Sequence, residues 1–455
     1  MKKIIFIAFL SISVVSSSIA QSKIDEKKSF IPKRVAKQVE SMVDKDEGRL
    51  VKIFKDIHSH PETGFTEVRT AKIVADQLKS LGFKVKTGIG KTGVVAILKN
   101  GNGPVLMYRA DMDALATQET TGLPYANNKK IINRDGLEVP AAHLCGHDAH
   151  VTWLLGMAKV MTKLKSKWSG TLVLVIQPAE ELIEGATAMF NDGLYTTHKV
   201  PKPDYLIAMH TGPFTTGTMV SGDGVLEAGT EQLDVTFHGR SSHGSMPQLS
   251  IDAGLMAAYA VVQYQAIVSR VLDPRDTGVV TVGAINAGVE NNTIPGEAVL
   301  KLNFRFFKEE VRKQLFKGVK AISDGIARTY GVAEDKLPTI VRKGYSSPLV
   351  NDTALTDRVA ANIINSGLIK PKSMIRDFRP ITGSEDAHML VHGIKDVKIS
   401  YLLVGVASPK LTAKAKKEGK EFPFWNHEPN FQVDLDAIPL GAKIASMIVL
   451  DILIK

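Results

Sequence analysis

The chain has 455 residues, 44% hydrophobic and 23% charged, with a formal net charge of +10. That is an ordinary globular composition, long enough for one large domain or two smaller ones. Its single cysteine excludes an internal disulfide, and much of its positive excess lies in runs without aromatic interleaving, which argues against a nucleic-acid groove.

Residues 1–20, MKKIIFIAFLSISVVSSSIA, have the layout of a secretory signal. Lys2 and Lys3 form the charged start, Ile4 to Val15 the apolar stretch, and Ser18-Ile19-Ala20 a small-x-small cleavage site. The apolar stretch is too short for the alternative of an uncleaved anchor, which needs about 20 apolar residues. Cleavage removes Lys2 and Lys3 and lowers the charge from +10 to +8. The expected mature protein is exported, periplasmic or secreted, with no stable membrane insertion. Its basic surface could still favour anionic substrates or an anionic envelope surface.

Residues 21–45 read as a tail or a loose first helix. The pattern is helical from Gly48 through Ile57, breaks at HSHPETGF (58–65), and is helical again from Thr66 to Leu81. GVVAILKN (93–100) and PVLMYRA (104–110) read as strands, and Asp148 to Leu164 as a helix. TLVLVIQ (171–177) and DYLIAMH (204–210) are apolar runs, as in strands buried on both faces, with a helix at 185–193 between them. This alternation predicts an α/β fold with a mostly parallel sheet. The period then changes. Residues 232–239, 278–287 and 298–306 alternate apolar and polar, with helices at Ala253–Val271 and Glu309–Tyr330. They predict a small antiparallel sheet with one helix-covered face, an inserted α+β domain. The α/β pattern resumes near Gly344, with a strand at 397–406 and a last helix at Leu435–Ile454. The expected division is a signal at 1–20, an α/β domain at 21–227 and 342–455, and an inserted domain at 228–341. KLTAKAKKEGKE (410–421) reads as a solvated loop.

Potential metal ligands fall where such sheets place their functional crevice, at the carboxyl ends of strands. Cys145 and His147 precede a helix in HLCGHDAH; Glu180 and Glu181 follow one buried strand; His210 ends the next; His427 lies in WNHEPNF. A lone cysteine by itself reads as a small buried hydrophobe, and a lone histidine as structure. The pair Glu180-Glu181 is harder to dismiss, because buried carboxylates are costly unless paired or metal-bound. Mixed sulfur, nitrogen and oxygen donors suit Zn²⁺, or less comfortably Mn²⁺. Together the groups predict a site for two divalent ions.

The motifs HSHPETGFTE, YRADMDAL, HLCGHDAH, QPAEELIEGA, MHTGP, RSSHGSMP, NNTIPG, GSEDAHML and HEPNFQVD occur in this order. From about Val51 onward the chain resembles the dinuclear metallo-amidohydrolases that include hippurate hydrolase, indole-acetyl-amino-acid hydrolases and N-acyl-amino-acid amidohydrolases, relatives of aminoacylase and the glutamate carboxypeptidases. The resemblance implies a metal-dependent hydrolase cleaving the amide bond of N-acyl amino acids or small peptide-like substrates, and a lid that also makes a homodimer. It implies that Cys145 is shared by both metals, with His147, Glu181, His210 and His427 completing the set. Glu180 would be the general base, and His243 would reach the partner subunit's site to stabilise the oxyanion. Asn292 and Arg305 would hold the substrate's carboxylate side, while Asp111 and Asp113 would support the ligands. A dipeptidase or carboxypeptidase acting on envelope peptides is the alternative within the same chemistry. A binding protein of the same fold without activity would lack Glu180 or a ligand, and none is missing.

Overall fold

The computed structural model describes residues 31–455; the expected signal lies outside them. In chain order, helices α1 (Lys33–Asp44), α2 (Glu47–His58) and α3 (Val68–Ser80) lead into strands β1 (Lys84–Ile89), β2 (Gly93–Asn100) and β3 (Val105–Asp111). Then come α4 (His147–Lys163), β4 (Gly170–Gln177), α5 (Gly185–Asn191), β5 (Tyr205–Thr215) and β6 (Met219–Val220). The inserted part holds β7 (Gly229–His238), β8 (Ser242–His243), α6 (Ala253–Ala266), β9 (Gly278–Ala287), β10 (Thr293–Ile294), β11 (Glu297–Phe306), α7 (Glu309–Thr329) and β12 (Thr339–Ser346). The chain returns through α8 (Thr353–Ser366), β13 (Met374–Ile375), β14 (Lys398–Ala407), α9 (Pro409–Lys417) and α10 (Ala437–Leu453).

The main sheet has eight strands in the order β1-β2-β4-β3-β5-β14-β6-β13. Its centre, β4-β3-β5-β14, is parallel. Strands β1 and β2 extend one side in antiparallel fashion, and β6 pairs antiparallel with β14 on the other. Every residue of β4 is buried, as its continuous apolar run requires of a central strand. Helices α4 and α10 lie against the sheet and are buried on nearly all sides. They approach closely at Gly441, where a Cβ would lie 2.2 Å from Trp153 Cε2. Trp153 Nε1 donates to Ala437 O at 3.0 Å, which fixes the indole in that gap.

The inserted part has its own core. A four-stranded antiparallel sheet, β9-β11-β7-β12, buries Leu233, Val235, Phe237, Leu300, Leu302, Phe304 and Phe306 against α6 and α7. The alternation read from the sequence becomes one packed and one open face.

Several expectations change. Residues 33–44 form an amphipathic helix, with Val35, Ala36, Val39 and Val43 buried in the main core. Residues 409–417, read as loop, form α9, because Ser408 caps it from Leu411 N and Pro409 occupies its first turn. Strand β5 continues past His210 to Thr215. The boundary expected at 341 falls inside β12, which pairs along β7 up to Thr230↔Ser346. Ser346 then donates through Oγ to Glu385 O in the catalytic part at 2.6 Å, so one strand serves both units.

Filling the α4–α10 contact tests this packing. Gly441→Val forces the helices apart and lowers stability by about 2 kcal/mol, read as a lower urea midpoint. An unchanged midpoint would show that the two helices do not depend on that contact.

Candidate metal centre and active-site cleft

The first turn of α4 and the loop after β4 place the central groups. Gly146 precedes α4 with φ +79°, and a Cβ there would lie 2.6 Å from Thr211 Cγ2. A side chain would therefore be both strained and obstructed. The glycine lets Cys145 and His147 turn inward on either side of it. After β4, Ala179 and Ile183 hold φ of 49° and 54°, left-handed values that L-residues rarely adopt. They bracket Glu180 and Glu181. Glu67 stabilises this turn by accepting from Ala179 N at 2.8 Å, which gives the last residue of HSHPETGFTE a positioning role.

Hydrogen bonds set which histidine nitrogens face the site. His147 Nδ1 lies 3.2 Å from Asp113 Oδ1, and Asp113 Oδ2 accepts from Glu181 N at 3.0 Å. His210 Nδ1 donates to Thr211 O at 2.7 Å. Both rings therefore turn Nε2 inward as an unprotonated nitrogen whose lone pair can ligate a metal. His210 Nε2 lies 3.4 Å from Cys145 Sγ. His147 Nε2 lies 3.7 Å from Glu180 Oε2 and 3.8 Å from Glu181 Oε1. His427, held at φ 73° by its N–H on Leu144 O, brings Nε2 to 3.3 Å from Glu181 Oε2. His150 belongs to the support. It donates through Nδ1 to Asp111 at 2.5 Å and accepts through Nε2 from Thr211 N at 2.8 Å, so both its nitrogens are used.

These residues fit a metal. His147 Nε2 and Glu181 Oε1 are buried and make no hydrogen bond among the described residues. Cys145, Glu181 and His427 bring one ligand atom each within 4.8 Å of one another, as do His147, Glu180 and Glu181. Without a cation the electrostatics are unfavourable. Burial, and then Glu181, push the Cys145 thiol well up. Burial, and then Glu385 and Glu181, do the same to Glu180. Burial raises Glu181 to about 8. Inserting positive charge reverses each of these shifts.

Behind the ligands lies a fully buried guanidinium. Arg109 pairs with Asp111 at 2.5 Å, Glu385 at 2.7 Å and Asp386 at 3.4 Å, and donates to Gln177 at 2.8 Å. Sequence reading assigned no role to Arg109, His150, Glu385 or Asp386. The adjacent acids of GSEDAHML were the available signal, the same one that singled out Glu180-Glu181.

A cleft of about 630 Å³ opens over the site. Cys145, Glu180, Glu181, His210, His427 and Arg305 line it, while His147 is buried beneath. One wall is aromatic: Phe214 packs edge-on against Phe378 and Phe422, and Phe422 against Trp425. Arg305 lines another part, with Nε donating to Asn303 at 2.9 Å and Nη1 to Ser384 Oγ. His243 and Asn292 are not in this cleft. They sit together on an exposed edge of the inserted part, where Gly244 N donates to Asn292 O at 2.7 Å.

A crevice at the carboxyl ends of parallel strands, with clustered metal ligands beside a buried carboxyl, defines a metal-dependent hydrolase acting on amide bonds. Residues 107–450 match Peptidase family M20/M25/M40, and the chain belongs to that family. It is 37% identical over 344 residues to the hippurate hydrolase of Campylobacter jejuni, covering 75% of this chain and 84% of the relative. It is 32% identical over 351 residues to the N-acetyl-L-cysteine deacetylase of Bacillus subtilis, covering 76% and 78%. The fold matches the Bacillus subtilis YXEP protein, described as a dinuclear metal binding peptidase of the M20 family, with a TM-score of 0.67 at 23% identity over 90% of this chain and 99% of that one.

The Gly146 turn supplies a test. Gly146→Ala shifts Cys145 and His147 against Thr211, so metal content and activity fall together, activity by about tenfold or more. Full metal content with full activity would show that the turn does not position the ligands.

Proposed function

We propose that this protein hydrolyses N-acyl amino acids, with Glu180 as the base that activates water. The observation that carries the reading is the different company of two adjacent carboxylates. Both line the cleft beside His147, but only Glu181 also comes together with Cys145 and His427. The residues that would hold two divalent ions, zinc or manganese, are Cys145, His147, Glu181, His210 and His427, with Cys145 shared. Such ions supply Lewis acidity toward the amide carbonyl and toward water.

The chain's own groups supply the rest. Glu180 takes one proton from the attacking water as its oxygen bonds to the carbonyl carbon. It delivers that proton to the amide nitrogen as the C–N bond breaks, releasing a carboxylic acid and an amino acid. The aromatic wall suits an apolar acyl group, and Arg305 suits the carboxylate of the amino acid.

A second copy of the chain completes the site in this reading. His243 Nδ1 lies 2.7 Å from Ser245 Oγ and accepts from Ser245 N at 3.1 Å, which leaves the proton on Nε2, free to donate to an oxyanion. The inserted part exposes apolar residues suited to burial in a dimer: Leu255, Tyr259 and Val262 along α6, and Ile285 on the edge strand β9. A two-fold dimer carries His243 and Asn292 of one copy toward the cleft of the other. Export belongs to the same reading and rests on the layout of residues 1–20.

Two inactive variants test the base and the shared site together. Glu180→Gln retains metal and loses turnover by about a hundredfold or more. Mixed with His243→Ala under conditions of subunit exchange, it regains partial activity, because one site of each mixed dimer carries both native groups. A mixture that stays inactive after confirmed exchange would contradict His243 acting across the dimer. An active, metal-replete Glu180→Gln protein would remove Glu180 as the base.

A further inference from the structure

The cleft contains a carboxylate that the proposed reaction does not use. Glu227 ends the short strand Gly224–Glu227 and lines the cleft while only 6% exposed. Its carboxylate makes no hydrogen bond or ion pair among the described residues. Other buried acids differ. Glu385 has Arg109, Glu231 has Arg312, and Glu119 has His58. An unpaired buried carboxyl is costly to the fold. Burial, and then the carboxylate of Glu385, push Glu227 up to about 8, with Arg305 and Arg109 acting in the opposite direction.

The backbone holds Glu227 firmly in place. It bridges to Ile381, and Ala228 N donates to Ile381 O at 3.0 Å and Gly383 O at 2.9 Å. The next residue, Ser384, accepts from Arg305 Nη1 and donates to Ala228 O at 2.9 Å. Glu227 and Arg305 therefore share one end of the cleft, an acid beside a guanidinium. A ligand matching that pair carries a carboxylate and a cation on the same fragment.

We propose that Glu227 is a specificity residue that receives the cationic group of the released amino acid, so that the preferred substrates are N-acyl derivatives of basic or diamino acids such as lysine and ornithine. The assignment rests on the amidohydrolase reading, with Arg305 on the carboxylate. The ammonium group takes the place of the proton that burial otherwise retains on Glu227. It also supplies the partner that this carboxylate lacks.

N-benzoyl-lysine and N-benzoyl-norleucine share the acyl group, carboxylate and chain length, and differ in the terminal ammonium. The native protein prefers the lysine compound in kcat/KM by roughly tenfold or more, and Glu227→Gln brings the ratio to about one. Calorimetry on the full chain carrying Glu180→Gln reads the same selectivity as affinity, without turnover. There too the lysine compound binds roughly tenfold more tightly, and adding Glu227→Gln abolishes the difference. Equal kcat/KM and equal affinity in proteins that retain Glu227 would overturn the proposal. So would a preference that survives Glu227→Gln. Selective binding of the lysine compound with no hydrolysis of either would sustain the Glu227 assignment while removing the amidohydrolase reading.

Discussion

Charge balance at the carboxyl ends of β3 and β4 governs this molecule. Asp111, Asp113, Glu180, Glu181, Glu385 and Asp386 converge there, most of them buried. One buried guanidinium, Arg109, neutralises the rear of the group through Asp111, Glu385 and Asp386. It does not reach the front, where Glu180, Glu181 and the Cys145 thiol face His147 and His210. Buried charge of one sign is tolerated only with a counter-charge, so the front half is complete with divalent cations in place. The donors are arranged for that, because Asp113 and Thr211 O occupy the outer nitrogens of His147 and His210 and leave the inner ones bare.

The fold supplies rigidity where this balance needs it. Strands β4, β3, β5 and β14 are bonded along their length, and α4 and α10 lock against them through Trp153 and Gly441. At the site, Gly146, Ala179, Ile183 and His427 have left-handed backbones that turn ligand side chains inward. The inserted part has a separate core and joins this frame through β7 and β12. Arg305 and Glu227 lie near that junction, while the candidate metal ligands lie at the main sheet.

Much of this was legible in the sequence, for physical reasons that differ by element. The apolar run 171–177 and the alternating strands 298–306 and 278–287 read correctly because burial on two faces or one leaves its own period. The cluster of candidate ligands was legible because its residue types are rare at strand ends. His210 was expected to end its strand because Gly212 and Pro213 follow it, yet β5 runs through both to Thr215, paired with β14 as far as Ala407↔Thr215. Residues 410–421 looked like loop because lysines dominate, yet Ser408 and Pro409 start a helix whose solvent face they form. Arg109 was invisible as a central group. A single arginine inside YRADMDAL gives no sign of being fully buried, and its partners Glu385 and Asp386 lie far away in the chain. His243 and Asn292 were identified by motif alone; both stand outside the cleft of their own chain, and the resemblance assigned His243 to the cleft of the partner subunit.

The central claim is that a buried thiolate, imidazoles and Glu181 hold two divalent ions over the sheet. X-ray absorption at the metal edge, taken together with metal content per chain, addresses it directly. The account predicts two ions per chain and a sulfur scatterer at about 2.3 Å for zinc, beside nitrogen and oxygen, with the sulfur signal lost in Cys145→Ser. A metal-replete, active protein without a sulfur scatterer would contradict it.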